Sequence, residues 1–148
     1  MNRHVLTIFC DDIRHEVGGK LSYIGVYSGQ MFVPSFPITL PKLCLALSVI
    51  TPIEMPFRKL AMRVFKDDAQ LAEGALDETH LTNVVEAFED VPEGERKDRV
   101  QLLQSMFVFS PFQLEGPCTL RVRIETESGE LRGVGLRIDQ APAANPPG

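Results

Sequence analysis

From Cys118 to Ile138 the chain alternates apolar and polar residues, turns once, and alternates again. Cys118, Leu120, Val122 and Ile124 point one way, and Thr119, Arg121, Arg123 and Glu125 the other. A period of two belongs to a strand with one dry and one wet face; an α-helix with that pattern buries no continuous side. Glu127-Ser-Gly-Glu130 is a hairpin loop, with Gly129 where positive φ is needed. On the return strand Val134, Leu136 and Ile138 are expected to face inward, and Gly133, Gly135 and Arg137 outward.

The same reading extends upstream. Leu43 to Ile50 is apolar or small on both faces, as a central strand is. Lys59 to Phe65 alternates, with Leu60, Met62 and Val64 inward; Asp67-Asp68 turns it toward a partner at Gln70 to Leu76. Val5 to Cys10 and Leu21 to Tyr27 read as a strand pair joined by a charged loop that ends in Gly18-Gly19. Gly25, inside the second of these, predicts a bulge or the close approach of other atoms. Pro34, Pro37 and Pro41 mark an edge or crossover segment, because proline donates nothing to a ladder. Met106 to Phe109 and Phe112 to Leu114 are two further short strands.

One stretch differs. Asp77 or Thr79 can cap a short helix near 78–88, where Leu81, Val84, Val85 and Phe88 share a face. Pro92 to Arg99 is a charged, turn-rich loop. The sum is an all-β chain: a β-sandwich of seven to nine mostly antiparallel strands, with a barrel as the other arrangement. The Gly116-Pro-Cys-Thr-Leu-Arg-Val-Arg123 segment resembles the last hairpin of immunoglobulin-like and C2-like sandwiches. Residues 1–139 form one domain, and 140–148, which carry no core side chain, a flexible tail.

Composition narrows the function. A chain of 148 residues builds its core without staples. A net charge of −5 supplies no basic field, which argues against nucleic acid and anionic membrane surfaces as partners. No apolar run is long enough to span a bilayer as a helix, and the N-terminal stretch does not read as a secretory signal. Cys10, Cys44 and Cys118 are odd in number and lie in apolar runs, which suits reduced thiols in the cytoplasm and no disulfide framework.

The densest polar chemistry lies between residues 9 and 27. Asp11, Asp12, Arg14, Glu16 and Lys20 sit between two core strands, with Tyr27 at the end of the second. Buried and unpaired, such charges are costly, so they are either solvated or paired in a network. Asp11, Asp12 and Glu16, with Asp67-Asp68, offer oxygen ligands to a hard cation such as calcium, but their spacing fits no calcium loop. Ser22, His15 and Asp12 have the residue types of a hydrolytic triad, yet Ser22 lies mid-strand and no G-x-S-x-G occurs. Cys10 paired with His15 or His80 would need a thiol of lowered pKa, and an apolar run raises it. Two further surfaces stand out: the outward stripe Arg121, Arg123, Arg132 and Arg137 with Glu125 and Glu130, suited to an acidic partner or to a solvated face of cross-strand ion pairs, and the aromatics Tyr23, Tyr27, Phe32 and Phe36.

The opening Cys-Asp-Asp-x-Arg-x-Glu (Cys10 to Glu16), then Gly-Lys-x-Ser-x-Ile-Gly-x-Tyr (Gly19 to Tyr27), resembles the start of a family of uncharacterised bacterial proteins, a domain of unknown function. The resemblance continues through Leu40-Pro-Lys-Leu43 and the final hairpin. It implies a small β-rich protein and transfers no catalytic residue. The expectation is a non-catalytic binding or assembly module without a cofactor, whose partner is a protein or a second copy. Asp11, Asp12, Arg14, Glu16, Lys20 and Tyr27 are its candidate binding residues. The alternative is a calcium-type binding domain or hydrolase built on Asp11, Asp12 and Glu16.

Overall fold

The period-two segments are strands, eleven of them among the described residues: β1 (His4–His15), β2 (Leu21–Tyr27), β3 (Gln30–Val33), β4 (Ile38–Leu40), β5 (Leu43–Pro52), β6 (Leu60–Lys66), β7 (Ala69–Leu76), β8 (Val100–Phe109), β9 (Phe112–Leu114), β10 (Cys118–Thr126) and β11 (Gly129–Gln140). The computed structural model describes residues 2–76, 81, 92–96 and 99–143. The count exceeds the seven to nine expected, because the chain beside Pro34, Pro37 and Pro41 contributes β3 and β4 as separate short strands.

Four strands form an antiparallel sheet in the order β2-β1-β5-β8. Five form a second, β3-β11-β10-β6-β7, antiparallel except where β3 runs parallel to β11. β4 and β9 make a two-stranded ribbon. The chain is therefore all-β and mostly antiparallel. β5 takes the interior position that its two apolar faces predict, between β1 and β8.

One cluster of buried side chains draws on both larger sheets. Phe9, Leu43, Leu45, Leu47 and Val49 come from the first, and Leu60, Met62, Val64, Leu120, Val122, Ile124, Leu136 and Ile138 from the second. β1 and β11 meet directly: the Thr7 hydroxyl donates to the Val134 carbonyl at 2.6 Å. A Cβ on Gly133 would stand 2.7 Å from Thr7 Cγ2, so only glycine fits there.

That contact corrects the expected facing of β11. Leu120 pairs with Leu136, and Val122 with Gly133, so β11 spends two residues where β10 spends one. The bulge reverses the phase of everything before it. Val134 faces solvent, 71% exposed, and Gly133 faces inward against β1, while Leu136 and Ile138 are buried as expected.

Two other boundaries differ from expectation. β1 does not stop at Cys10 but runs through the charged residues to His15, leaving only 16–20 as the turn. β8 begins at Val100, six residues before the segment that reads as a strand. The upstream loop holds a helical turn at Glu93–Arg96. Of the helix expected near 78–88 only Leu81 is described, helical and buried in the core; the rest lies outside the described residues. β11 extends to Gln140, and the Ala141 amide donates to the Val33 carbonyl at 2.8 Å; residues 144–148 of the expected tail lie outside the described residues.

Candidate functional site

The β1–β2 hairpin is not flat. Its registers put Tyr23 opposite Ile13, whereas Gln104 of β8 lies level with Leu6 through Ser48. Seven residues of straight strand separate those levels, about 23 Å. Yet Gln104 Nε2 donates to the Tyr23 hydroxyl at 3.1 Å. The far half of the hairpin must therefore curl back over the outer face of its own sheet. Burial agrees: Cys10, Cys44 and Ala46 lie on that outer face and are fully or almost fully buried.

Gly25 and Asp11 shape the curl. Gly25 has φ +70°, and a Cβ there would stand 2.2 Å from Asp11 Oδ2, so the carboxylate lies across the glycine. The same carboxylate accepts a hydrogen bond from the Tyr27 hydroxyl. Burial first, then the Asp11 hydrogen bond and charge, push the Tyr27 phenol up to about 12. Gly25 thus answers the expectation of a close approach.

The remaining members of the charged segment pair locally and do not converge. Lys42, just before β5, donates to Asp12 at 2.7 Å; this bond holds the Asp12 carboxyl below and the lysine above its ordinary value. Arg14 stands 3.9 Å from Glu16, both exposed. Lys20 is exposed, and its backbone carbonyl accepts from the Glu16 amide at 2.8 Å, closing the turn. The six candidate residues therefore divide between an Asp11–Tyr27 bond, an Asp12–Lys42 pair and a solvated turn. Asp67 and Asp68 lie in the β6–β7 turn of the other sheet, where an Asp67 carboxylate oxygen accepts from the Thr119 amide at 3.0 Å. Among the described residues no three His, Cys, Asp or Glu side chains are grouped as metal ligands.

The thiols are core groups. Cys10 faces Cys44 across β1 and β5, and burial, with Cys44 alongside, pushes the Cys10 thiol up to about 11. Burial raises Cys44 and Cys118 in the same direction, the opposite of what a nucleophile needs.

Sequence reasoning passed over two features. The first is the outer rim of the four-stranded sheet, where Leu6, Leu102, Met106 and Val108 stay exposed beside the curled hairpin. β8 alternates, but each face mixes apolar and polar residues, which hides the period: Val100, Leu102, Gln104, Met106 and Val108 point outward. The second is a clasp around Arg3. Its guanidinium lies 4.4 Å over the Phe57 ring. It bonds Glu127, the Thr51 hydroxyl at 3.0 Å and the carbonyls of Met55 and Pro56 at 3.1 Å. Glu127 also accepts from the Arg58 amide.

Residues 5–139 match the model of a family described only as a family of unknown function (DUF6941). No curated protein and no solved structure matches the chain.

Proposed function

The chain belongs to DUF6941, a family of unknown function, and from that premise we propose that it is a non-catalytic assembly module that pairs with a second copy of itself through β8. One observation carries the reading: the chemistry of that edge. Among the described residues no strand pairs with the outer side of β8. Its ten residues, Val100 to Phe109, include no charge and no proline, and they pair with β5 without a bulge. Sheet edges are ordinarily blunted by lysine, proline or bulges; this one is not.

A second copy fits better than an arbitrary strand because the edge is self-complementary. Read outward, Val100, Leu102, Gln104, Met106 and Val108 give the same order of polarity in both directions. A twofold axis through Gln104 would set Val100 against Val108 and Leu102 against Met106, apolar on apolar. That is the condition an isologous interface imposes. The exposed Leu6 and the curled hairpin would flank the joint. Asp11, Asp12, Arg14, Glu16, Lys20 and Tyr27 enter this reading as the groups that hold and cap the hairpin beside the interface.

The same proposal takes the two larger sheets as halves of an immunoglobulin-like or C2-like sandwich, supported by their shared core. It takes the protein as bacterial, on the resemblance of its opening, and as cytoplasmic, on three buried free thiols. Among the described residues no helix is long and apolar enough to cross a membrane.

Light scattering coupled to size exclusion tests the pairing. The expected result is a dimer that Met106→Lys converts to a monomer of unchanged circular dichroism, since Met106 is exposed in the single chain. A wild-type monomer across the micromolar range, or a Met106→Lys dimer, overturns it.

A further inference from the structure

The outer face of the second sheet carries a charge arrangement that its own ion pairs do not use up. Arg123 on β10 stands directly opposite Arg132 on β11 and Arg63 on β6, three arginines in one row across three strands. Like charges directly opposite each other destabilise a sheet. Glu73 on β7 ends the row, 3.5 Å from Arg63, and the other compensating carboxylates flank one side of it. Glu125 bonds Lys59 and Arg63, each at 2.7 Å, and Glu130 lies 3.2 Å from Arg132. The hollow on that side, about 500 Å³, is lined by Glu125 and Glu130 together with Arg63 and Arg123, and so carries its own counter-charges.

On the other side the balance fails. The β11 bulge borders a second concavity of about 370 Å³, lined by Arg121, Arg123 and Arg132 with Thr119, Val122 and the backbone of Gly133 and Gly135, and among the described residues by no carboxylate. Arg121 has a carboxylate only at its margin, Asp68 at 3.9 Å, on a fully exposed side chain. Arg123 Nε is buried without a hydrogen-bond partner; Glu130, at 3.9 Å, is beyond hydrogen-bond reach. The Arg123 guanidinium is held 5.3 Å over the Phe65 ring, which lines the first hollow, so Arg123 borders both.

We propose that this concavity binds the phosphate group of a small molecule. Guanidinium forks match tetrahedral oxyanions in geometry as well as charge. Arg121 and Arg132 carry peripheral ion pairs, to Asp68 at 3.9 Å and to Glu130 at 3.2 Å, and their remaining N–H donors are open to an anion. The volume admits a phosphoryl group with a small organic remainder, and the net charge of −5 works against a long polyanion. Gly133 and Gly135 border the concavity with bare backbone: a Cβ on Gly135 would stand 2.3 Å from the Leu120 carbonyl oxygen, and one on Gly133 would face β1 instead.

Titration of the full chain with inorganic phosphate, followed by amide NMR shifts and repeated with glycerol 3-phosphate, tests the site. Saturable shifts centred on Gly133 and Gly135 are expected, with affinity about tenfold weaker in Arg121→Gln and in Arg132→Gln. Arg14→Gln should leave it unchanged, because Arg14 lies on the β1–β2 hairpin of the other sheet and does not line the concavity. Tighter binding of glycerol 3-phosphate would place the phosphate on an organic carrier, and equal binding would point to the free ion. Absence of saturable shifts with both ligands at tens of millimolar, or an equal loss in Arg14→Gln, overturns the proposal. Neither result bears on the β8 pairing, which is read by mass.

Discussion

Two groups of charges hold this protein's long-range geometry, and they are opposites. The hairpin segment Asp11 to Lys20 concentrates five charged residues in ten positions, pairs them locally and leaves most of them in solvent. The Arg3 clasp is sparse in sequence, its partners lying 48 to 124 residues away, and its arginine side chain is only 6% exposed. The clasp joins the N-terminus, the β5–β6 connection and the β10–β11 turn at one point. Density along the chain therefore says little about energetic weight; burial and the number of satisfied partners say more.

The largest effect should come from Arg3→Ala. It strips the partner from Glu127, leaves the Met55 and Pro56 carbonyls short of a donor and uncovers Phe57. The arginine side chain is buried and Glu127 partly exposed, so the cost lies mainly in the acceptors left without a donor, about 3 kcal/mol together, read as a lower denaturant midpoint at unchanged slope. The pH dependence sharpens the test. Burial pushes the Glu127 carboxyl up, but hydrogen bonds from Arg3 and the Arg58 amide outweigh it and hold it below its ordinary 4.5. A carboxyl lowered on folding contributes stability that is present above its unfolded value and lost as pH falls through the folded one. Wild type should lose that contribution below about pH 4.5, and Arg3→Ala should flatten the slope. An unaltered acid limb would mean that Glu127 is held by the backbone amide alone.

Gly25→Ala comes next and probes the curl instead of the charges. It forces a side chain into φ +70° and drives a Cβ into the Asp11 carboxylate. The cost should be about 1–3 kcal/mol. Asp11→Gly in the same chain should recover part of it, since the clash goes while the backbone strain stays. If the double variant is as unstable as the sum of the two singles, the carboxylate is not what the glycine accommodates.

How much of this was readable beforehand follows from the range of each interaction. β10 and the inward face of β6 are set by alternation, β5 by an apolar run and the β10–β11 turn by Gly129, and each of these signals is local. Gly25 announced its close contact because a glycine inside a strand has few other reasons to be there. Val134 was misplaced because a two-for-one bulge is a property of the pair β10–β11, invisible in either strand alone. The β8 edge was missed because Gln101, Gln104 and Ser105 interrupt both of its faces. Arg3 gave no signal, for nothing near it in sequence shows that Glu127 will sit opposite. At the candidate site the residue types were legible and their division into separate pairs was not, since Lys42 lies 30 residues from Asp12 and the curl of the hairpin depends on Tyr23 reaching Gln104 across the sheet.

The smallest effect is the sharpest test of the contrast. Arg14 looks central in the sequence, a lone guanidinium among three carboxylates, and its loss from a buried network would cost as much as the loss of Arg3. In the fold its side chain is 63% exposed and its one ion pair, to Glu16, spans 3.9 Å. Asp11 is already bonded to Tyr27 and Asp12 to Lys42, so neither carboxylate depends on it. Arg14→Ala should therefore change stability by less than about 0.5 kcal/mol. By thermal melting the variant should overlay wild type within about 2 °C. A fall as large as that of Arg3→Ala would mean that the turn charges act as one network in solution, and the distinction between a solvated cluster and a buried clasp would fail.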